Sequence, residues 1–177
     1  MYSEEEFIKR CLNNDSQAQE ALYKRYAPKM FGICLRFTRN KMEAEDVLQE
    51  GFIKIFTYLK DYRSEGSLEG WMRRTIINTA INYYKKQSKR FRDMNIDQAE
   101  IADSNDENVV DKLSTNELLT LIQDLPNGYR MVFNLSIIEG YTHKEIGGIL
   151  NISENTSKSQ LSRARSVLQS KIKKITK

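Results

Sequence analysis

The sequence predicts an all-α protein of two small helical domains joined by a flexible acidic linker. Apolar residues recur at a helical period through most of the 177 residues, and only eight glycines and two prolines interrupt the pattern. Charge is distributed in blocks. Residues 1–90 carry 17 basic and 12 acidic side chains, residues 91–113 carry 2 and 7, and residues 114–177 carry 9 and 5. Such a reversal of charge is typical of a linker between domains.

The first two helices are predicted from an apolar stripe and a cap. The stripe of the first helix includes Ile8 and Cys11, and Asp15 offers an N-cap for the second. Pro28 lies inside the second stripe, and we expect it to break or kink this helix because proline lacks an N–H. Cys11 and Cys34 both fall at apolar positions and are predicted to be reduced core residues.

Two longer helices follow in the first domain. The third is predicted over residues 43–59, where apolar residues recur on one face. Residues 61–67 form a loop, as their glycine and serine content indicates. The fourth helix is predicted over residues 68–90, again with an apolar stripe.

The fourth helix has a basic and aromatic character. Residues 71–92 contain seven Lys/Arg and no acid, and Trp71, Tyr83, Tyr84 and Phe91 are interleaved with the cations. This combination suits single-stranded DNA, because bases stack on rings while cations hold the backbone. The alternative is that Trp71 and Tyr84, which share the apolar stripe, are core residues rather than stacking platforms.

A helix-turn-helix is predicted in the second domain. Thr142 and Glu145 form a capping box that starts a short helix. Gly147 provides the small residue that two closely approaching helices require, and Asn151 suits a left-handed turn. A second helix, capped by Ser153, follows the turn. This arrangement is the one that places a recognition helix in the major groove of DNA.

The second helix of this motif is the predicted recognition helix. Residues 155–177 contain seven Lys/Arg and no acid. We expect polar side chains near the helix start to reach base edges and the arginines to contact phosphates. The predicted contacts are Glu154, Asn155, Thr156, Lys158, Ser159, Ser162, Arg163 and Arg165. The alternative is an ordinary helical hairpin whose basic face is only solvated.

Catalytic chemistry is not indicated. The sequence has no phosphate-cradling glycine loop and no Cys/His cluster, and its single histidine, His143, is expected to be an ordinary surface residue. We therefore expect no enzymatic activity, no cofactor and no metal. The N-terminus is acidic rather than that of a signal peptide, and no apolar run reaches the ~20 residues of a membrane span. A soluble, cytoplasmic protein without direct membrane insertion is expected.

Four segments stand out in combination. They are AEDVLQEGFIKIF at 44–56, WMRRTIIN at 71–78, LP at 125–126 and KSQLSRAR at 158–165. In this order and spacing they resemble bacterial RNA polymerase sigma factors of the extracytoplasmic-function group in the sigma-70 family. The resemblance covers nearly the whole chain. It implies an alternative sigma factor in which residues 1–90 bind polymerase and the −10 promoter element (region 2), while residues 114–177 bind the −35 element (region 4).

The resemblance also implies residue roles and partners. The helix at 44–56 would dock on the clamp helices of the polymerase core through Asp46, Leu48, Gln49, Glu50 and Ile53. The plainer alternative is that its acids form a solvated face. The 61–67 loop would capture a base flipped from the −10 element, and the next helix would hold the separated strand. The residues implied are Arg63, Ser64, Ser67, Arg74, Asn78, Lys85 and Lys86. Members of the family are often held inactive by an anti-sigma protein, so such a partner is expected.

Four positions depart from the commoner family pattern. Ile77 stands where many members have arginine, and Asn82 stands where aspartate is usual. Ser157 replaces an apolar residue and Gln160 replaces arginine, both within the recognition helix. These last two changes bear on which −35 sequence is recognised.

Two other functions compete with this interpretation. One is a two-domain regulator that binds duplex DNA without polymerase, and the clamp-docking motif argues against it. The other is a nuclease, which would need clustered carboxylates or metal ligands. The acid-rich stretch at 91–113 shows no helical clustering that indicates such a site.

Overall fold

The computed structural model describes residues 4–93 and 114–175, and every regular element in these two ranges is helical. The elements are α1 (Glu4–Leu12), α2 (Ser16–Phe37), α3 (Lys41–Tyr58), a 3-10 turn (Leu59–Asp61), α4 (Leu68–Asp93), α5 (Thr115–Gln123), α6 (Asn127–Phe133), a π-helical segment (Asn134–Ile138), α7 (His143–Leu150) and α8 (Glu154–Ile175). The predicted all-α class is confirmed.

The chain divides into two compact units, Met1–Asn82 and Tyr83–Lys177. The division falls within α4, before the linker that the sequence predicts at 91–113. Of that linker, residues 94–113 lie outside the described residues. The domain boundaries predicted from the sequence therefore stay a prediction.

The start of α2 is fixed by a side-chain cap, as predicted. The carboxylate of Asp15 accepts hydrogen bonds from the backbone N–H of Gln17 at 3.0 Å and of Ala18 at 3.2 Å. Arg10 donates to the same carboxylate from its Nε at 2.7 Å. The Arg10 hydrogen bond, together with the backbone donors, lowers the pKa of Asp15. The cap thus also ties the last turn of α1 to the first turn of α2.

Pro28 does not break α2, which continues to Phe37. Pro28 and Lys24 are both exposed, so water can bind the Lys24 carbonyl that loses its usual N–H partner. Ala27 and Met30, on either side of the proline, are buried. Packing on both sides of the proline therefore keeps the helix continuous against its local preference.

The core of the first unit is built from the inward faces of its helices. Its largest fully buried side chains are Leu22, Met30, Val47, Ile55, Leu59, Leu68, Met72 and Ile76. Gly51 permits the close approach of α3 and α4, because a Cβ at this position would overlap Cδ1 of Ile76. Both cysteines are buried and free, as predicted. Burial raises the pKa of the Cys34 thiol to about 12.

A buried arginine joins α5 to α6 in the second unit. Arg130 is only 3% exposed, and its guanidinium donates to the carbonyls of Gln123 and Leu125 at 2.9 Å each. It also donates to Oδ1 of Asn127 at 2.5 Å. These bonds fix the turn at Pro126, which immediately precedes α6. The sequence alone did not indicate this role, since arginines are mostly exposed.

One side of α8 is anchored in the core of the second unit. Leu125, Ala164 and Val167 form a buried cluster, and Tyr129, Phe133 and Leu168 pack against it. The anchored side fixes the helix in place, which leaves the side bearing most of its polar residues exposed to solvent.

Candidate nucleic-acid interface

The first helix of the predicted helix-turn-helix begins at a complete capping box. The hydroxyl of Thr142 accepts from the backbone N–H of Glu145 at 3.2 Å, and the Glu145 carboxylate accepts from the backbone N–H of Thr142 at 2.8 Å. These hydrogen bonds lower the pKa of Glu145. The box defines where α7 starts and confirms the prediction made from Thr142 and Glu145.

The turn after α7 has the conformation that the sequence predicts. Asn151 adopts left-handed backbone angles, with φ 57° and ψ 48°. The backbone N–H of Ile152 donates to the Gly147 carbonyl at 3.0 Å. A Cβ on Gly147 would lie 2.8 Å from the Ile152 carbonyl oxygen, so this position accommodates only glycine without a shift of the backbone. The turn therefore fixes the direction in which α8 leaves it.

The recognition helix α8 presents nearly all its predicted contacts to solvent. Its start is capped by Ser153, whose hydroxyl accepts from the backbone N–H of Thr156 at 2.9 Å. Thr156 itself is half-buried. The exposed members of the predicted set are Glu154, Asn155, Lys158, Ser159, Ser162, Arg163 and Arg165. The geometry required of a recognition helix is present, while contact with DNA stays a prediction.

Several of these polar groups already have partners on α8. Lys158 forms an ion pair with Glu154, with Nζ and Oε1 2.7 Å apart. The Ser159 hydroxyl donates to the Thr156 carbonyl at 3.0 Å, and the Thr156 hydroxyl lies 2.8 Å from that of Ser153. Glu154 thus screens Lys158 until a stronger anion, such as a phosphate, competes for the ammonium group.

A hydrogen bond between α7 and α8 was not predicted. Nδ1 of His143 lies 2.9 Å from Oγ of Ser157, and Ser157 is completely buried. His143, expected to be an ordinary surface residue, is half-buried and connects the two helices of the motif. The buried hydroxyl of Ser157 therefore has a hydrogen-bond partner 14 residues away in the sequence. The spacing of residues in the sequence does not reveal this pairing.

The other three unusual positions have different surroundings. Ile77 is 4% exposed and belongs to the core of the first unit. Asn82 is exposed on α4, and Gln160 is half-buried on α8. Of these three departures, only Asn82 presents its side chain fully to solvent.

The α4 residues that are predicted to hold an unpaired strand are exposed. Arg74, Asn78, Lys85 and Lys86 are all exposed. Arg74 and Asn78 lie one helical turn apart, so they share a face. Trp71 and Tyr84 are half-buried, a placement between the two alternatives of core residue and stacking platform.

The loop before α4 is exposed and carries two left-handed residues. Arg63, Ser64 and Ser67 all lie on its surface. Ser64 has φ 57° and Gly66 has φ 109°. Such backbone angles are ordinary for glycine and unfavourable for serine. The Ser67 hydroxyl accepts from the backbone N–H of Gly70 at 3.1 Å, which caps α4.

An exposed stripe on α3 contains the predicted polymerase contacts. Asp46 and Gln49 are exposed, and Ile53 is 61% exposed despite being apolar. Met42, which the sequence analysis missed, is 74% exposed and continues the same face one turn earlier. The spacing 42, 46, 49 and 53 identifies this face, but only once burial shows which apolar residues point outward. We call these four residues the α3 stripe.

Two predicted polymerase contacts differ from the rest. Leu48 is 8% exposed, so its side chain lies mainly in the core and offers little surface for docking; its contact with polymerase stays a prediction. Glu50 is half-buried and pairs with Lys54, with Oε1 and Nζ 2.7 Å apart. The carboxylate of Asp46 is the more accessible of the two acids.

Neither a metal site nor a membrane-spanning helix is found in the part of the chain that the structure describes. No group of three His, Cys, Asp or Glu residues there is placed to hold a metal ion. Within 4–93 and 114–175, no helix has both the length and the apolar character required to cross a bilayer.

Comparison with protein families matches the chain in two places. The model of sigma-70 region 2 matches residues 22–90, and the model of sigma-70 region 4 matches residues 115–168. The first match contains the α3 stripe, the loop and most of α4, and the second contains the helix-turn-helix. The two family models thus cover all three surfaces described above, in the order that the sequence predicts.

Individual relatives match along most of their length. The RNA polymerase sigma-H factor of Pseudomonas aeruginosa is 26% identical over 176 residues, covering 93% of this chain and 91% of its own. The ECF RNA polymerase sigma-E factor of Escherichia coli K12 is 27% identical, with 93% and 92% covered. A co-crystal structure of the sigma factor RpoE with the anti-sigma factor NepR from Bartonella quintana matches at TM-score 0.52 and 20% identity, covering 87% of this chain and 96% of that one. This structural similarity supports the all-α fold described above.

Proposed function

The chain belongs to the sigma-70 family as an alternative sigma factor of the extracytoplasmic-function group, and we propose that it directs promoter recognition and opening through three separate surfaces. The observation that carries the proposal is the pairing of a well-formed helix-turn-helix in one unit with an acid-free basic stretch of α4 and an exposed loop before it. One surface binds duplex DNA, the second binds an unpaired strand and the third binds polymerase.

Duplex binding at the −35 element is assigned to α8. The cap, the left-handed turn and the anchored core fix the direction of this helix, so its exposed face can enter a major groove without rearrangement. Arg163 and Arg165 would contact phosphates, and Asn155 and Ser159 would approach base edges. These contacts would set the position of the polymerase along the duplex.

Strand separation at the −10 element is assigned to the loop and α4. Arg63, Ser64 and Ser67 surround the place where a flipped base would bind, and Arg74 and Asn78 would hold the adjacent backbone. Unstacking a base costs a few kcal/mol, which favourable contacts to the flipped base and its phosphates would offset. No hydrolysis by this chain is required, so we propose a non-enzymatic role without cofactor or metal.

Docking on the polymerase core is assigned to the α3 stripe. Met42 and Ile53 offer apolar area, and Asp46 and Gln49 offer polar contacts that would set orientation. This mixture of exposed apolar and polar residues is typical of an interface that forms and dissociates. The clamp helices of the core are the proposed partner. An anti-sigma protein is proposed as a further partner, since the Bartonella quintana relative was crystallised with one.

Co-purification and transcription test the proposal together. We expect the chain to bind purified core polymerase and to support transcription from a subset of a promoter library. A regulator that acts without polymerase would bind duplex DNA but would not co-purify with core. Failure to bind core, or transcription that does not depend on the added chain, would rule out the sigma-factor role.

A further inference from the structure

Tyr62 connects the beginning of the loop to its end. Its hydroxyl donates a hydrogen bond of 2.7 Å to the carbonyl of Gly66. Its ring packs against Trp71 on α4, with ring centroids 5.7 Å apart and planes inclined by 50°. One side chain therefore holds both the far end of the loop and the first turns of the next helix.

The loop has few other restraints. Residues 63–67 are all exposed, so no core packing holds them. Ser64 has a left-handed backbone that costs roughly 1 kcal/mol for a residue other than glycine. Such a conformation persists only where neighbouring contacts impose it. Within the loop these contacts include the Tyr62 hydroxyl bond and the Ser67 cap on Gly70.

The Tyr62 hydroxyl is protonated and can donate a hydrogen bond at neutral pH. Partial burial, followed by the nearby Glu4 carboxylate, raises the pKa of this phenol. The phenol therefore keeps its proton at neutral pH. The hydroxyl can therefore donate to the Gly66 carbonyl and hold that carbonyl in one orientation.

We infer that Tyr62 is a positioning residue which pre-forms the loop for capture of an unpaired base. The inference rests on the proposed function, because it concerns the same loop. If the loop is already ordered before the strand arrives, the contacts to the base do not have to offset the entropy cost of ordering the loop. Tyr62 itself need not touch DNA. Tyr62 lowers the free-energy cost of binding the base through Arg63, Ser64 and Ser67.

The test uses Tyr62→Phe in holoenzyme assembled from full-length chain and core polymerase. This variant removes one oxygen and keeps the ring beside Trp71. Tyr23→Phe is the matched control, because Tyr23 is also partly exposed and also packs its ring on an aromatic neighbour, Phe52, at 4.7 Å. The probe is the non-template strand of a promoter selected from the library, as a single-stranded oligonucleotide.

We expect Tyr62→Phe to bind this strand up to about five-fold more weakly, the limit set by one net hydrogen bond of about 1 kcal/mol. Affinity for core and for the −35 duplex should not change, and any loss in urea unfolding of the full chain should be no larger than that expected from one hydrogen bond. Tyr23→Phe should behave as the parent in every assay.

A second strand with an abasic site at the captured position separates positioning from general weakening. Here the parent and Tyr62→Phe should bind equally, because there is no base for the loop to receive. Equal affinity of both proteins for the intact strand, or the same five-fold loss on the abasic strand, would overturn the inference. If the abasic site does not weaken the parent at all, base capture itself fails, and the inference falls with that part of the proposed function.

Discussion

Nδ1 of His143 and Oγ of Ser157 lie 2.9 Å apart and join the first turn of α7 to the first turn of α8. The serine is completely buried, whereas the histidine is half-exposed. The pair places a polar contact inside a helix-turn-helix at a position where the family commonly has an apolar residue. This hydrogen bond therefore links the two helices of the motif near their starts.

A double-mutant cycle measures this dependence. Ser157→Ala and His143→Ala should each destabilise the chain, and the coupling between them should be about 1 kcal/mol, as for one buried hydrogen bond. Urea unfolding of the two single variants and the double variant gives the value. Ser162→Ala, on the exposed face of the same helix, is the control and should change stability little. A coupling within error of zero would show that the hydrogen bond does not stabilise the motif.

Adjacent glycines in α7 are expected to respond in opposite directions to the same substitution. Gly147→Ala puts a Cβ 2.8 Å from the backbone oxygen of Ile152, so it should cost roughly 1–3 kcal/mol. Gly148 is exposed and nothing lies within 4 Å of an added Cβ. Gly148→Ala should therefore stabilise the helix by up to about 1 kcal/mol. Thermal unfolding of both variants checks the prediction, and equal effects would contradict the close approach.

These residues also show what can be predicted from the sequence. The capping box of Thr142 and Glu145 and the turn at Asn151 were predicted correctly, because their chemistry is local and depends on residues three or four positions apart. The pairing of His143 with Ser157 could not be predicted, since it depends on how two helices pack. Of the two expectations for Pro28, a break in α2 was wrong for a related reason, because tertiary packing overrode the local preference.

The functional surfaces divide in the same way. Exposure of Asp46, Asn155 and Arg163 followed from the helical period, because a stripe that is apolar on one side must be exposed on the other. Leu48 was named as a contact although its side chain is largely buried, because a family motif names positions without stating which side of the helix they occupy. Met42 was missed since an exposed methionine has the same pattern as a buried one until the packing is known.

The buried thiol of Cys34 should make stability fall at alkaline pH. Its pKa is raised by burial to about 12, whereas the pKa of an unburied thiol is near 9.0. Below pH 9 the folded and unfolded states are both protonated, and the folded state keeps its full stability. Between about pH 9 and 12 only the unfolded thiol loses its proton, so stability decreases as pH rises.

Cys34→Ala removes this dependence. We expect the free energy of unfolding of the variant to fall less steeply between pH 8 and pH 11 than that of the parent, although its absolute stability is lower because a cavity forms. Urea unfolding at a series of pH values under reducing conditions gives both slopes. Parallel curves for parent and variant would mean that the thiol ionises in the folded state as well.

Charge reversal on the α3 stripe tests the docking surface. Asp46→Lys should weaken binding to core polymerase several-fold and alter its salt dependence, because an exposed interfacial charge chiefly affects association. Glu5→Lys is the matched control, since Glu5 is exposed on α1, outside the α3 stripe, and gives the same change in net charge. Glu50→Lys is less informative, because it also breaks the ion pair with Lys54. Equal loss of affinity in Asp46→Lys and Glu5→Lys would point to net charge rather than to this stripe.

The recognition helix is tested by the salt dependence of duplex binding. Each of Lys158→Ala and Arg163→Ala should lower the slope of log K against log salt by about 0.9, since each removes one phosphate contact and the counterion it releases. Lys171→Ala is the control, because Lys171 lies near the other end of α8 and pairs with Asp124 at 3.0 Å. It makes the same change in net charge but should leave the slope almost unchanged.

Removing the ion pair on α8 should have the opposite effect and strengthen duplex binding. Glu154 lies 2.7 Å from Lys158 and competes with phosphate for its ammonium group, so Glu154→Gln should strengthen duplex binding at low salt, unless Glu154 itself contacts a base. The two cases are distinguished by sequence preference. Release of Lys158 strengthens binding to all sequences alike, whereas loss of a base contact changes which −35 sequences are preferred, as expected for substitutions at Asn155 and Ser159. Unchanged affinity, salt slope and preference in all of these variants would show that α8 does not contact the duplex.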